Sequence, residues 1–398
     1  MATDIEGIKS VTLETIYDTP EGKLIQSCIQ CGTCAGACPH GEYMDYPPRR
    51  IIKMLQHGLI EKVFETDSML KCVNCYACMV KCPREIHLTE VILQLVKEQT
   101  IIRLPAVPPE LQKALENNYR YGNPMGESGR KRANWVTTSS VPVRILSQNP
   151  EPVDVLWFVE SYPSYHPRGQ DTCRALAKIL NALEIDFAIL GNEEKSAGEC
   201  GMLSYESGLA EALVDYNMSV FAKYKFNKMI TTDPHALDAF NYRYKLYDFG
   251  YEAQHAILFI MQYHDRLKPL LKKTLGYSVT YHDSCCLGRH NKFYDEPRQL
   301  LQLIPGIKLV EMVHNRLNSI CCGGGGGGMW LDTYFKSQNM ERLSDIRVKE
   351  AIETGADILA VACPYEIPRF EDALKVAGYD KKIAVKDIVE LVSESMED

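Results

Sequence analysis

Fifteen cysteines dominate the chemistry that this 398-residue chain could perform. Eight of them form two runs with the same spacing, C-x-x-C-x-x-C-x-x-x-C-P, at Cys28, Cys31, Cys34 and Cys38 and at Cys72, Cys75, Cys78 and Cys82. Disulfide frameworks are typical of short secreted chains, whereas this chain is long and its N-terminus lacks the charged-then-apolar layout of a signal peptide. We therefore interpret the cysteines as metal ligands.

The spacing within each run is that of bacterial ferredoxins, in which three cysteines of one run and the fourth of the other hold each 4Fe-4S cube. It predicts two ligand sets: Cys28, Cys31, Cys34 and Cys82, and Cys72, Cys75, Cys78 and Cys38. The proline after each fourth cysteine breaks the local helix and helps to aim the thiolate. A pair of zinc sites is the alternative, but zinc needs neither a third cysteine at this offset nor a trailing Cys-Pro. Two such clusters would pass electrons one at a time.

A third group of cysteines lies in the C-terminal part, at Cys285-Cys286, Cys321-Cys322 and Cys363-Pro364. Adjacent cysteines fit poorly around one metal ion but can bind different irons of one cluster, so a multi-iron centre is favoured over zinc. Six glycines, Gly323 to Gly328, follow the second pair. They either point backbone N–H groups at an anionic cluster or form a flexible linker. No Gly-Lys-Ser or Gly-Lys-Thr follows, which argues against a phosphate loop.

Hydropathy patterning divides the chain into regions that could position these cysteines. Residues 1–100 are predicted to form a small helical domain around the amphipathic stretch 47–65, and residues 101–150, rich in proline and glycine, a linker. Residues 151–276 and 277–398 each alternate apolar runs with helical segments, as parallel sheets with crossover helices do. The predicted fold class is α+β and multidomain: a helical ferredoxin-like domain followed by a duplicated α/β domain with mainly parallel sheets.

The C-terminal motifs resemble those of a known family. Residues 281–301, 318–330 and 355–374 are similar to the cysteine-rich CCG domain of heterodisulfide reductase catalytic subunits, and residues 1–100 resemble the ferredoxin-like partner subunit of that enzyme. Together they resemble the fused form found in methanogen heterodisulfide reductases and in bacterial iron–sulfur oxidoreductases. The resemblance covers nearly the whole chain.

The resemblance implies a third iron–sulfur cluster. A CCG module of the family gives a lone cysteine, a Cys-Cys pair and a Cys-Pro-x-Cys motif to a noncubane cluster. These positions match Cys285, then Cys321 and Cys322, then Cys363, and the last cysteine is replaced by Glu366. Either Glu366 or Cys286 completes the ligand shell, or the cluster is an ordinary 4Fe-4S cube held by four cysteines.

The first α/β region departs further from the family. It has Glu160-Ser161-Tyr162, the stretch from Glu194 to Cys200, and Asp233-Pro234-His235-Ala236 where the family has ligands. We expect this half to fold without a cluster, as a packing or docking surface. Cys173 is expected to be a core thiol, and Cys200 could be structural or functional.

Composition excludes several partners. The chain carries 44 Lys and Arg against 52 Asp and Glu, a net charge of −8, and it has no basic block that would bind nucleic acid. No apolar run is long enough to span a bilayer, so we expect a protein without a transmembrane segment of its own, cytoplasmic or held at the membrane by a partner. No GxGxxG loop opens a βα unit, so NAD or flavin is expected on a partner.

These features predict an iron–sulfur electron-transfer subunit of a heterodisulfide reductase-like complex. It would relay single electrons between another subunit, a flavoprotein or a membrane quinone-reactive protein, and the third cluster, because clusters cannot accept hydride. The alternative is a catalytic reductase that cleaves a thiol-disulfide substrate at the C-terminal cluster. Loss of the last family cysteine to Glu366 favours the relay.

Overall fold

The computed structural model describes residues 12–103, 107–199 and 206–396, which fall into two compact units. One unit contains the described residues up to Gln112, residues 206–207 and Gly325–Arg342. The other contains Lys113–Glu199, Gly208–Gly324 and residues 343–396. The chain therefore passes from one unit to the other inside the glycine run. The domain boundaries drawn from the sequence stay predictions.

The first unit is helical. The amphipathic stretch at 47–65 forms two helices separated near Gly58, whose positive φ of 74° suits glycine. Ile51, Ile52 and Leu55 of the first of these helices are buried in the core of the unit. Its α-helices are Leu13–Tyr17, Pro20–Lys23, Thr33–Gly36, Pro48–Gln56, Ile60–Phe64, Ala77–Val80, Leu93–Arg103 and Asp332–Ser337, and Pro109–Tyr121 crosses the residue at which the units divide.

The second unit contains two sheets whose neighbouring strands all run parallel. The five-stranded sheet has the order β1-β3-β2-β4-β5, and its strands are β1 Arg144–Ile145, β2 Val153–Trp157, β3 Phe187–Ile189, β4 Phe226–Thr231 and β5 Glu252–His255. The four-stranded sheet has the order β7-β6-β8-β9, and its strands are β6 Ser278–Tyr281, β7 Lys308–Leu309, β8 Ile358–Val361 and β9 Ala384–Asp387.

The two sheets repeat one topology, which confirms the predicted duplicated α/β fold. The orders β3-β2-β4-β5 and β7-β6-β8-β9 match strand for strand. Asp233-Pro234 follows the end of β4 at the same distance as Cys363-Pro364 follows the end of β8. The α-helices around the sheets are Ser161–Tyr165, Pro167–Ala182, Ser207–Phe221, Pro234–Asp238, Ala256–Met261, His264–Leu267, Glu296–Leu303, Leu343–Glu353, Glu366–Val376 and Ile388–Ser395. None of the helices in the described ranges has the length and apolar character that a membrane span requires.

Candidate metal centres

The first group of thiols gathers at the Cys28 loop of the helical unit. Burial, together with the neighbouring thiolates of Cys28, Cys82 and Cys31, raises the pKa of Cys34 to about 11. The backbone N–H and the side-chain amide of Gln30 both point at the sulfur of Cys28, at 3.4 Å and 3.5 Å. The structure thus brings the last cysteine of the second run to the first three cysteines of the first run.

The second group of thiols has the reciprocal composition. Burial raises the pKa of Cys38 well above its usual value, and the thiolates of Cys75, Cys72 and Cys78 raise it further. Burial also raises the pKa of Cys78, and a contact of 3.3 Å between its Sγ and Thr89 Oγ1 opposes that rise. Cys38 of the first run thus lies near the thiols of the second run, and the two crossed ligand sets stay predictions.

Both groups of four thiols fit a four-iron cluster. The described cysteines form no disulfides. Buried thiols with raised pKa values hold their protons, and binding of iron would replace those protons with the positive charge that buried thiolates need. Cys31 is exposed, whereas Cys75 and Cys78 are buried. The first group therefore lies nearer the solvent than the second.

Two glycines of the Gly323 to Gly328 run pack on the backbone of the second group. A Cβ atom on Gly326 would lie 2.3 Å from the carbonyl oxygen of Cys72, and one on Gly325 would lie 2.5 Å from that of Val73. Lys97 holds this contact, because its buried ammonium donates to the carbonyl oxygens of Gly326 at 2.6 Å and Cys72 at 3.1 Å. Because Gly325 and Gly326 are closely packed, this part of the glycine run is not a flexible linker.

Replacing Lys97 by Met is expected to lower the reduction potential of one N-terminal cluster. Burial lowers the pKa of Lys97 to about 8, with the Cys72 thiolate opposing that change, so the ammonium is mostly charged at pH 7. A buried cation beside Cys72 stabilises the extra electron of a reduced cluster. The measurement is a redox titration followed by EPR, with Lys53→Met at an exposed position of the same unit as the control. Unchanged reduction potentials in the Lys97 variant would show that this ammonium does not influence the cluster.

Four cysteines of the second unit, Cys285, Cys286, Cys321 and Cys322, interact with one another after β6, and Cys363 follows β8. Hydrogen bonds with Cys286 and Cys321 lower the pKa of Cys285 well below its usual value. A hydrogen bond with Cys321 likewise lowers the pKa of Cys322 to about 6. Burial raises the pKa of Cys363, and the nearby Glu366 carboxylate raises it further. All five thiols are buried, as suits a centre shielded from water.

The first glycines of the run face this C-terminal thiol group. The backbone N–H of Gly323 lies 3.3 Å from the sulfur of Cys321, and that of Gly324 lies 3.4 Å from the sulfur of Cys322. Donors of this kind stabilise negative charge on sulfur. The run thus has two parts, one that donates to C-terminal thiols and one that packs on the Cys72 backbone.

Glu366 and His282 stand beside Cys322. One ligand atom from each of the three lies within 4.8 Å of the others. Arg347 donates its Nε–H to Nδ1 of His282 at 3.0 Å, so neutral His282 carries its proton on Nε2, 3.3 Å from Glu366 Oε1. Burial raises the pKa of Glu366 well above its usual value, and its Oε2 has no hydrogen-bond partner among the described residues. Glu366 is therefore a candidate oxygen ligand beside Cys322.

The first α/β half also contributes a side chain to the C-terminal thiols. Nδ1 of His235 lies 3.9 Å from Cys363 Sγ and 3.1 Å from Asp233 Oδ1. The expectation that this half folds without a cluster, as a packing or docking surface, stays a prediction. Cys173 is a buried core thiol, as predicted, and Cys200 lies outside the described residues.

Buried carboxylates occupy the positions at which the first half lacks cysteines. Glu160 follows β2 and Glu194 follows β3, and both are less than 3% exposed. Arg132 lies 3.0 Å from Glu194 Oε1 and 3.3 Å from Glu160 Oε2. Burial raises the pKa of Glu194 to about 7, with the Arg132 guanidinium opposing. The sequence did not point to Arg132, which is distant from its partners along the chain.

Replacing Arg132 by Met is expected to lower the free energy of unfolding by about 3–5 kcal/mol, because the buried carboxyl groups of Glu160 and Glu194 would lose their partner guanidinium. Urea denaturation of the anaerobic protein measures the change. Arg130→Met, at an exposed position two residues away, is the control. A loss below about 1 kcal/mol, the size typical of surface substitutions, would show that Arg132 does not neutralise this network.

Comparison with known proteins identifies two kinds of domain. A 4Fe-4S dicluster domain matches residues 24–86, which include both N-terminal cysteine runs. The cysteine-rich domain CCG matches residues 162–237 and again 279–365, one match in each α/β half. The chain therefore carries iron–sulfur clusters.

Three similar proteins align with most of this chain. The Probable iron-sulfur-binding oxidoreductase FadF of Bacillus subtilis is 31% identical over 85% of this chain and 48% of the relative. The EtfAB:quinone oxidoreductase of Syntrophomonas wolfei is 27% identical over 100% of this chain and 62% of the relative. The chain thus spans about half to three fifths of these relatives. A subunit of the dihydromethanophenazine:CoB--CoM heterodisulfide reductase of Methanosarcina barkeri is 27% identical over 94% of both chains.

Proposed function

Since the chain is a heterodisulfide reductase-like iron–sulfur protein, in which a dicluster domain is joined to cysteine-rich domains, we propose that it relays single electrons within a redox complex. Iron–sulfur clusters supply one-electron transfer when bound. The relay runs between a partner subunit and a third centre in the C-terminal part. The glycine run carries this proposal, because it donates to Cys322 at one end and packs on Cys72 at the other.

The ligand assignment follows from the three thiol groups. One N-terminal cluster is held by Cys28, Cys31, Cys34 and Cys82, and the other by Cys72, Cys75, Cys78 and Cys38. The third centre is held by Cys285, Cys321, Cys322 and Cys363, with Cys286 or Glu366 as a further ligand. The burial of all these C-terminal thiols supports a centre that exchanges electrons through the protein and is closed to solvent.

The partner is proposed to dock beside the first N-terminal cluster. Exposure of Cys31 supports this site, because electron exchange between proteins requires a cluster near the surface. The partner is a flavoprotein or a membrane quinone-reactive subunit, and the name of the Syntrophomonas relative supports a link to quinone. Such a complex would place the protein in the cytoplasm or at the membrane surface through that partner.

A second candidate function is disulfide reduction at the third centre. The match to the Methanosarcina heterodisulfide reductase over 94% of both chains supports it. His235 near Cys363 is a group that could hold a proton beside a sulfur atom. The substrate would be a thiol-disulfide, cleaved by two electrons that arrive one at a time.

Iron and acid-labile sulfide per chain, with EPR of oxidised and reduced protein, test the proposal. About 12 irons are expected, as two cubes and a third four-iron centre require. About 8 irons would contradict the third centre and leave only the N-terminal clusters. An oxidised-state signal that changes when a disulfide is added, followed by release of thiol, would favour the reductase over the relay.

A further inference from the structure

We propose that the first α/β half binds a hard divalent cation, of the Mg²⁺ or Mn²⁺ type, at Glu160, Glu199 and Asp233. One carboxylate oxygen from each of these residues lies within 4.8 Å of the other two. All three side chains are at most 5% exposed. The site adjoins the C-terminal thiols, because Asp233 also lies within 4.8 Å of Cys363, but it uses no thiol and does not depend on the proposed relay.

The duplicated topology places these carboxylates where the second half has thiols. Asp233 follows β4 as Cys363 follows β8, and each is followed by proline. Glu160 lies after β2, the strand that matches β6, which precedes Cys285. Soft thiolate donors in one half thus correspond to hard oxygen donors in the other. Thiolates select iron–sulfur clusters or zinc, whereas carboxylates suit Mg²⁺, Ca²⁺ and Mn²⁺.

One buried oxygen of the group lacks a partner. Oδ1 of Asp233 accepts from the backbone N–H of His235 at 2.8 Å and lies 3.1 Å from its Nδ1. Oδ2 is fully buried and has no hydrogen-bond partner in the part of the chain that the structure describes. A buried carboxylate oxygen without a partner is costly, so this oxygen points to a bound ligand.

The charges of the buried side chains around the proposed site favour a bound cation. Four buried carboxyl groups, those of Glu160, Glu194, Glu199 and Asp233, lie near two basic side chains: Arg132 pairs with the first two, and His235 pairs with Asp233. Burial raises the pKa of Glu199 well above its usual value, and the charges of Glu160 and Asp233 raise it further. Excess negative charge of this kind is neutralised by protons or by a metal ion.

The spacing of the oxygens suits a small divalent cation. One oxygen of each carboxylate lies within 4.8 Å of the other two, so the three donors are close enough together to face one small ion. Ser196 holds two of the carboxylates in place, since its hydroxyl lies 2.9 Å from Glu160 Oε1 and 3.0 Å from Glu199 Oε2. Three carboxylates leave further positions of an octahedral ion for water, as Mg²⁺ prefers.

The test is a titration of the anaerobic, cluster-loaded full chain with Mn²⁺, in which EPR measures the free ion. We expect one Mn²⁺ per chain, displaced by excess Mg²⁺. Asp233→Asn and Glu199→Gln are each expected to weaken binding by about tenfold or more, by analogy with the losses seen when metal-site partners are removed. Glu211→Gln, at an exposed position of the same unit, should bind like the wild type. Absence of stoichiometric binding, or binding that both site variants retain, would overturn the proposal.

A second measurement, the Tm, distinguishes a loss of cation binding from poor folding of a variant. Mn²⁺ should raise the Tm of the wild type and of Glu211→Gln, because a ligand that binds only the folded state stabilises it. The same addition should leave the Tm of the site variants unchanged. If Asp233→Asn does not fold, the Mn²⁺ affinity and the Tm of Glu199→Gln test the proposal. Iron and sulfide per chain should be equal in wild type and Glu199→Gln, which separates failure of this site from failure of the relay.

Discussion

Replacing Cys322 by Ser is expected to remove about four irons per chain and to stop electron delivery to the C-terminal part, while both N-terminal clusters remain. Cys322 is the thiol on which Cys321, His282 and the N–H of Gly324 converge. A hydroxyl at this position is a poorer ligand for iron, because thiolates are the preferred donors of such clusters. Iron and sulfide content, with EPR of the reduced protein, measure the result.

Cys173→Ser is the matched control for that experiment. Cys173 is also a fully buried thiol of the second unit, but its sulfur lies near a backbone carbonyl, that of Pro163, at 3.5 Å. Its replacement should leave iron content and all EPR signals unchanged. The same iron content in Cys322→Ser as in wild type would show that Cys322 is not a ligand.

Replacing Gly326 by Ala is expected to lower the free energy of unfolding by about 2–4 kcal/mol and to slow electron transfer to the third centre. The new Cβ would lie 2.3 Å from the carbonyl oxygen of Cys72, and the backbone φ of 59° disfavours residues other than glycine. The Cys72 loop or the glycine run must therefore move, which disturbs the contact that Lys97 holds. Denaturant unfolding and rapid-freeze EPR measure the two effects.

Gly250→Ala is the control for the glycine variant. A Cβ atom at Gly250 would meet no described atom within 4 Å, and its φ is not positive. This substitution should change the free energy of unfolding by no more than about 1 kcal/mol. Equal stability and equal electron-transfer rates in the two variants would show that the glycine run does not depend on close packing.

The N-terminal thiol groups were predictable because their geometry is local. Three cysteines on one loop are brought together by neighbouring residues, and the trailing Cys-Pro signals the crossed fourth ligand. Lys97 was not predictable from spacing. It lies 229 residues from Gly326 along the chain, and only tertiary folding brings its ammonium to that carbonyl oxygen.

The central strands were predictable from their apolar runs: β8 is apolar and buried throughout, and β2 is so at every position except the half-buried Asp154. The edge strands β5 and β9 were not predicted. Their sequences, EAQH and AVKD, alternate exposed and buried positions over only four residues, so they lack a strong apolar signal.

The cluster of carboxylates in the first half could not be predicted from the absence of cysteines in the sequence. Glu160 and Asp233 replace cysteines of the family pattern, and from the sequence they indicated only that ligands are missing. Folding places them on the same sheet edge, because β2 and β4 are neighbours and parallel. The duplicated topology therefore reveals a group of oxygen donors that spacing along the chain does not.

Rapid-freeze EPR during reduction by a reduced ferredoxin tests the relay most directly. Because Cys31 is exposed whereas the C-terminal thiols are buried, we expect a protein donor to deliver electrons through the N-terminal unit. We predict that the signals of the N-terminal clusters appear first and that the third centre is reduced afterwards, more slowly in Gly326→Ala. Reduction of the third centre at the wild-type rate in Cys75→Ser, which lacks an N-terminal ligand, would contradict the relay.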